Sequence, residues 1–147
     1  MDSTVLAYIA GFLDGDGSIF FQIVRRNDYK KKFQIRTSIA FYQKTVNANI
    51  LHWLQEQFKV GYIRHRKTGI SDYTIVESKE VKKILTLLQP YVKLKRKQVD
   101  LGLLILDKID ESDDFIVICK LVDKFKDINY SKKRSLTSNV VSMSLPL

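Results

Sequence analysis

The order of apolar and polar positions divides the chain into segments with two different periods. Residues 4–13 repeat apolar side chains at helical spacing, with Ser3 or Thr4 available to cap the start and Gly15 and Gly17 closing the end. From Ser18 the period drops to two. Ile19, Phe21 and Ile23 share one face and Phe20, Gln22, Val24 and Arg26 the other, which predicts a strand. A polar run over residues 26–32 turns the chain. Phe33, Ile35, Thr37, Ile39 and Phe41 then alternate with Gln34, Arg36, Ser38, Ala40 and Tyr42 in a second strand. Helical spacing returns over residues 45–58 through Ile50, Leu51, Leu54 and Phe58, with Thr45 or Asn47 as the cap. Two shorter strands, residues 61–66 and 70–76, flank a turn through Lys67, Thr68 and Gly69. Helices are expected over residues 78–88, 93–108 and 115–127, with Pro90 marking a break. The pattern predicts an α+β domain in which an antiparallel sheet is covered by helices on one face. A single domain is expected over residues 1–147, with a core over about 4–127 and a helical tail over about 128–147.

Composition narrows the choice of class. At 147 residues one hydrophobic core is expected, and 45% apolar with 28% charged residues is the make-up of a folded globule. Cys119 is the only cysteine, which excludes an internal disulfide framework or a Cys-based zinc site and suits a reducing compartment. The apolar run over residues 5–13 is too short to cross a bilayer, follows Asp2 and is broken by Asp14 and Asp16, so no membrane or secretory segment is expected. His52 and His65 are the only histidines and stand apart in the sequence, which argues against a His-rich metal cluster or a paired-His nuclease.

A net charge of +9 favours a polyanionic partner, and its distribution sharpens the point. Arg25, Arg26, Lys30, Lys31, Lys32 and Arg36 lie in or beside the first hairpin, and Lys59, Arg64, Arg66 and Lys67 in or beside the second. Alternation puts Gln22, Arg26, Gln34, Arg36, Ser38, Arg64 and Arg66 away from the apolar face, and these side-chain types can bond base edges or phosphates. An ordinary solvated face is the alternative. A ten-residue strand rises about 33 Å, close to the length of ten base pairs, so one chain could read about half of a twenty-base-pair site. Lys93, Lys95, Arg96 and Lys97 form a third basic group at the start of an expected helix, where cations oppose the helix dipole and call for a compensating contact such as a phosphate.

Residues 9–17 read Ile-Ala-Gly-Phe-Leu-Asp-Gly-Asp-Gly. Ala7, Gly11 and Gly15 fall four apart and give a nearly bare helix face, which lets another helix approach closely. Asp14 and Asp16 stand at the C-terminal end, where free carbonyls make the potential negative and a carboxylate calls for something positive. A hard divalent cation would satisfy both groups. One Asp16 makes an incomplete octahedral site and two, from two chains, a better one. A plain glycine-rich helix end is the alternative.

Taken whole, this stretch resembles the LAGLIDADG motif. The likeness continues through Asp16-Gly17-Ser18-Ile19, Gln43-Lys44-Thr45, Val60-Gly61-Tyr62, Ser71-Asp72-Tyr73, Gln89-Pro90-Tyr91, Lys93-Leu94-Lys95 and Lys97-Gln98, covering roughly residues 5–106. The chain is similar to the single-motif, homodimeric LAGLIDADG homing endonucleases of algal organelles. The resemblance implies an αββαββα core whose two sheets form a DNA-binding saddle. It implies motif helices packed at the dimer axis through Ala7, Ala10, Gly11, Asp14 and Gly15, with Mg²⁺ held by Asp16 and the Gly15 carbonyl. Mn²⁺ is expected to substitute, and Ca²⁺ to bind without supporting cleavage. By the same resemblance Gln43 orders the attacking water and Lys95 stabilises charge beside the phosphate. Gln22, Val24, Arg26, Asp28, Tyr29, Gln34, Arg36, Ser38, Ala40, Arg64, Arg66, Lys67, Asp72, Thr74 and Lys95 face double-stranded DNA. The implied reaction is metal-dependent hydrolysis at the centre of a long pseudo-palindromic site, leaving short 3′ overhangs. No organic cofactor or membrane is expected, and an organelle is the implied compartment. The pattern departs at Asn47, where a basic residue is expected, and at Val24, Arg26, Asp28, Arg36 and Ala40, which implies a different target sequence.

Two other readings remain. Asp72 with Glu77 and Lys79 imitates the acid, then Glu-x-Lys arrangement of another metal-dependent nuclease class. A DNA or RNA binder that does not cut, serving as a splicing cofactor or regulator, would use the same fold. Cys119, Trp53 and residues 101–106 are assigned to packing, and Lys132, Lys133 and Arg134 to phosphate contact or a frayed tail.

Overall fold

A computed structural model describes residues 1–129 and 136–145, and the basic group at 132–134 lies outside them. The first helix, α1 (Ser3–Asp16), is capped by Asp2, whose carboxylate accepts the N–H groups of Thr4 at 2.7 Å and Val5 at 3.1 Å. It runs three residues past the expected end, through both aspartates. Gly17 closes it with an N–H bond to the Leu13 carbonyl, and a Cβ at Gly17 would lie 2.6 Å from Leu13 Cδ1. Glycine is needed there for that close approach and not for its backbone, which is extended.

Strand β1 (Gly17–Arg25) pairs antiparallel with β2 (Phe33–Lys44), Gly17 opposite Phe41 and Arg25 opposite Phe33. A 3₁₀ turn at Thr45–Asn47 leads into α2 (Asn49–Phe58), so neither Thr45 nor Asn47 caps the helix as expected. The Thr45 hydroxyl instead meets Ser71 Oγ at 2.8 Å. A second hairpin joins β3 (Tyr62–His65) to β4 (Ile70–Ile75), and β4 pairs with β2 to give the antiparallel order β1-β2-β4-β3. Gly69, at φ +85°, supplies the left-handed turn between them.

Helices α3 (Ser78–Leu88), α4 (Arg96–Asp110), α5 (Phe115–Ile128) and α6 (Ser138–Ser144) complete the chain. The helices cover one sheet face, as expected. Ile19, Phe21, Ile39, Phe41 and Tyr73 on that face are fully buried against Ile9, Leu13, Leu51, Leu54, Leu85, Val99 and Phe125. Gly102 lets α4 settle onto β1, since a Cβ there would stand 2.8 Å from the Phe21 ring. Cys119 is buried in this core, and burial pushes its thiol up to about 12, the inert state of a packing residue. No helix among the described residues is long and apolar enough to cross a membrane.

Candidate nuclease centre and nucleic-acid face

The α1 helix has two faces of small or apolar residues, and only one is free. Leu6, Ile9, Ala10 and Leu13 are buried in the chain's own core. Ala10, expected at a dimer face, is fully covered within the chain and cannot touch a second one. Its position one residue before Gly11 rotates it by about 100° onto the core side. Thr4, Ala7, Tyr8, Gly11 and Gly15 are exposed. A Cβ at Gly11 or Gly15 would meet nothing within 4 Å, so nothing inside the described chain requires glycine there. Beside this face Thr4, Val5, Tyr8, Ile50 and Trp53 line an apolar groove of about 340 Å³. Tyr8 is 54% exposed, and its ring stands edge-on to the indole of Trp53 at 5.6 Å. Trp53 and Tyr8 carry surface that the helical pattern alone assigned to packing or passed over.

Asp14 does not hold a free carboxylate. It accepts the N–H groups of Lys93 at 2.8 Å, Leu94 at 3.1 Å and Lys95 at 3.0 Å, and Lys95 Nζ returns to the Asp14 carbonyl at 2.9 Å. The helix expected from residue 93 therefore begins only at Arg96. Asp14 thus supplies the acceptor for the backbone N–H groups that open the basic run at 93–97, through backbone bonds and not through an ion pair with its side chains. Asp14 is thereby removed from both the metal and the small-residue face. It ties the end of α1 to the segment that carries Lys95 and Leu94, whose side chain is 74% exposed.

Asp16 is different. It is exposed and has no hydrogen bond or ion pair among the described residues. Of the last carbonyls of α1, those of Leu13 and Asp14 have donors, from the Gly17 N–H and Lys95 Nζ. The remaining donor set at this end is one carboxylate and the Gly15 carbonyl, both hard oxygen ligands of the kind suited to Mg²⁺. Among the described residues no three acidic, His or Cys side chains converge on a metal position. Gln43 follows the Gly17–Phe41 pair by two residues, and so lies at the same sheet end as Asp16. Its Oε1 accepts the Lys44 N–H at 3.2 Å, and its amide N–H₂ has no partner among the described residues. Asn47 is exposed in the 3₁₀ turn just beyond.

The outer sheet face carries the expected polar set. Strand register aligns Val24 with Gln34, Gln22 with Arg36, Phe20 with Ser38, Ala40 with Thr74, Tyr42 with Asp72 and Asp72 with Arg64. Ala40 and Thr74 are nearly covered, at 4% and 6% exposure, and offer little surface to any partner. Arg26, in the first turn, holds Asp28 through two bonds of 3.0 and 2.9 Å, Gln34 at 2.8 Å, and the Tyr29 ring at 4.6 Å. The Arg26 guanidinium bonded to it holds the Asp28 carboxyl below its usual range. Arg36 and Lys67 are exposed.

Asp72 points to this outer face yet is fully buried under its neighbours. Arg66 Nε donates at 2.9 Å, Arg64 Nε and Nη2 at 3.3 Å, and Thr74 Oγ1 at 2.6 Å. Burial alone would raise its pKa. The Thr74 and Arg66 bonds and the two guanidinium charges outweigh that and hold it below the usual carboxylate range. Fully buried with both oxygens bonded, Asp72 is not open to a metal from solvent, and the reading built on Asp72, Glu77 and Lys79 loses its central acid.

His52 and His65, separated in sequence, meet in the fold with ring centres 6.1 Å apart. Thirteen positions of sequence separation concealed a contact that the α2–β3 packing creates.

A profile described as LAGLIDADG endonuclease matches residues 9–106. The chain is 41% identical over 140 residues to the DNA endonuclease I-CreI of Chlamydomonas reinhardtii, covering 92% of this chain and 85% of that one. It is 36% identical over 143 residues to the DNA endonuclease I-CvuI of Chlorella vulgaris, covering 95% and 89%. A crystal structure of the homing endonuclease I-CvuI in complex with the I-CreI target in 2 mM Mg, its DNA uncleaved, superposes with a TM-score of 0.89 at 34% identity, over 95% of this chain and 91% of that one. By profile, by sequence and by fold, the chain belongs to the LAGLIDADG endonuclease family.

Proposed function

We propose that the protein is a site-specific homing endonuclease that acts as a homodimer on a pseudo-palindromic DNA site of about twenty base pairs. The observation that carries this reading is the unpaired Asp16 carboxylate at the end of a bare-faced helix, with a polar, cationic sheet face leading away from it. Two relatives of more than a third identity are DNA endonucleases, which supports cutting over binding alone.

The exposed Thr4, Ala7, Gly11 and Gly15 face of α1 packs against its copy at the dimer axis, extended by the Tyr8–Trp53 groove and exposed Leu94. Each chain contributes Asp16 and the Gly15 carbonyl, and together the pair makes the set that one chain lacks. Mg²⁺ held there supplies Lewis acidity toward the phosphate and a more acidic water. Mn²⁺ replaces it, and Ca²⁺ binds without supporting turnover. The free Gln43 amide orders the attacking water. Lys95, held beside the α1 terminus by its bond to the Asp14 carbonyl, sets positive charge near the scissile phosphate. Gln22, Val24, Arg26, Asp28, Tyr29, Gln34, Arg36, Ser38, Arg64, Arg66 and Lys67 face the flanking major grooves, with Asp72 holding two of these arginines in place. The organelle assignment rests on the sequence resemblance and on the algal source of both relatives.

The test is cleavage of a plasmid library of partly palindromic sites. Discrete cuts with short 3′ overhangs in Mg²⁺ and none in Ca²⁺ are expected. Asp16→Asn should abolish cutting while leaving affinity for the recovered site within a few-fold. Tight, specific binding by the wild-type chain with no cutting in Mg²⁺ or Mn²⁺ would instead favour a splicing cofactor or regulator.

A further inference from the structure

We propose that His52 and His65 form a second metal site, distinct from the Asp16 centre, that takes a borderline divalent transition metal such as Zn²⁺ or Ni²⁺. The two are the protein's only histidines. His52 lies on α2 and His65 ends β3, so a metal between them ties a helix to the edge hairpin. Two imidazoles on one tetrahedral metal, with bonds of about 2.0–2.1 Å, hold their ring centres roughly 5 Å apart. The observed separation is 6.1 Å with an interplanar angle of 41°, and both residues are exposed, so the site requires the His52 ring to move inward on binding.

The second observation is how His65 is held. Its Nδ1 lies 2.7 Å from the Oγ of buried Ser71, and that hydroxyl also meets Thr45 Oγ1 at 2.8 Å. With Nδ1–H donating to this hydroxyl, the tautomer that metal binding requires, the other nitrogen, Nε2, is the ligand and the ring plane is fixed. Metal-binding histidines are commonly oriented in this way. Two neutral nitrogen donors suit Zn²⁺, Ni²⁺ or Cu²⁺ and are poor ligands for Mg²⁺ or Ca²⁺, so the site selects against the ions suited to Asp16. No third protein ligand converges among the described residues, so water fills the other positions and the site is labile and exchangeable. Arg64 and Arg66 flank His65, and the metal therefore stiffens the hairpin that carries them.

Trp53, the only tryptophan, is adjacent to His52 and reports on the site. Titrating Ni²⁺ into the whole protein should quench Trp53 fluorescence saturably at one ion per chain. Mg²⁺ and Ca²⁺ should leave it unchanged. Zn²⁺ at ten times its dissociation constant should raise Tm by about 4 °C. His52→Ala, which removes a side chain with no hydrogen bond to the described residues, should fold normally and lose both responses. His65→Gln should lose them as well, and Asp16→Asn should keep them. Undiminished quenching and Tm shift in His52→Ala, or their loss in Asp16→Asn, would overturn the proposal.

Discussion

Three backbone N–H groups converge on one carboxylate at Asp14, and the carbonyl of the same residue receives Lys95 Nζ. Asp14→Ala therefore releases the 93–95 segment and with it the lysine proposed to face the phosphate. Water can reach the freed donors, so the stability cost is modest, about 1 kcal/mol, and the larger effect is expected in turnover. A kcat reduced at least tenfold with site affinity nearly unchanged, measured on linear DNA, is the expected result. A lowered Tm with kcat and affinity both unchanged would make Asp14 a folding residue with no bearing on Lys95. Asp72 gives a pH prediction. Its folded pKa is depressed, so its contribution is present above the unfolded carboxylate value of about 4 and fades as pH falls below it through the folded value. Thermal stability should drop between pH 4 and acid extremes more steeply in the wild type than in Asp72→Asn. At neutral pH that variant should be destabilised by about 1–2 kcal/mol, discounted because both arginines remain half exposed.

The first hairpin shows how an element can hold in check the arginine proposed to face DNA. Arg26 is engaged by Asp28, Gln34 and the Tyr29 ring, which presents the guanidinium in one orientation and offsets its charge. Asp28→Ala frees it, so affinity for unrelated DNA should rise several-fold while discrimination between the recovered site and variants at the outer positions narrows. Competition binding against random duplex checks this, and unchanged discrimination would deny Arg26 a base-reading role. The two faces of this hairpin were legible in the sequence because period two needs no knowledge of neighbours. Ile19, Phe21 and Ile23 went inward and Gln22, Gln34 and Arg36 outward, as alternation requires. What failed depended on contacts distant in sequence. The start of α4 moved from residue 93 to Arg96 because Asp14, some eighty residues earlier, takes the N–H groups that a helix would have used. Ala10 was placed on the wrong side of α1 because small residues sit on both its faces, and only packing distinguishes them. His52 and His65 looked unrelated until α2 was laid beside β3. At the motif end of α1 Asp16 is exposed with no bond among the described residues, so the need for something positive near free carbonyls, legible in the sequence, is left unmet within the chain.

At the scale of the whole molecule, Gly11 separates the monomer from the dimer in one substitution. A Cβ at Gly11 has open space around it in the chain, and glycine in a helix interior is less favourable than alanine by roughly 0.8–1.0 kcal/mol. Within an isolated chain, Gly11→Ala is therefore stabilising, and for a domain of this size a gain near 1 kcal/mol lifts Tm by about 2–4 °C. Against a second α1 packed at close range the same methyl group stands between two backbones, and the sign reverses. A dimer is expected to lose Tm, to show a midpoint that falls on dilution, and to sediment partly as monomer at micromolar concentration. In the proposed dimer cleavage needs both Asp16 groups, so nicking and double-strand cutting should decline together with the dimer fraction and recover at high protein concentration. Gly11→Leu should push the chain to monomer outright while the far-ultraviolet circular dichroism stays that of the folded protein. A monomeric Gly11→Leu variant that still cuts both strands at wild-type rate would mean that each chain carries a complete centre, and the lone carboxylate of Asp16 would then need another partner.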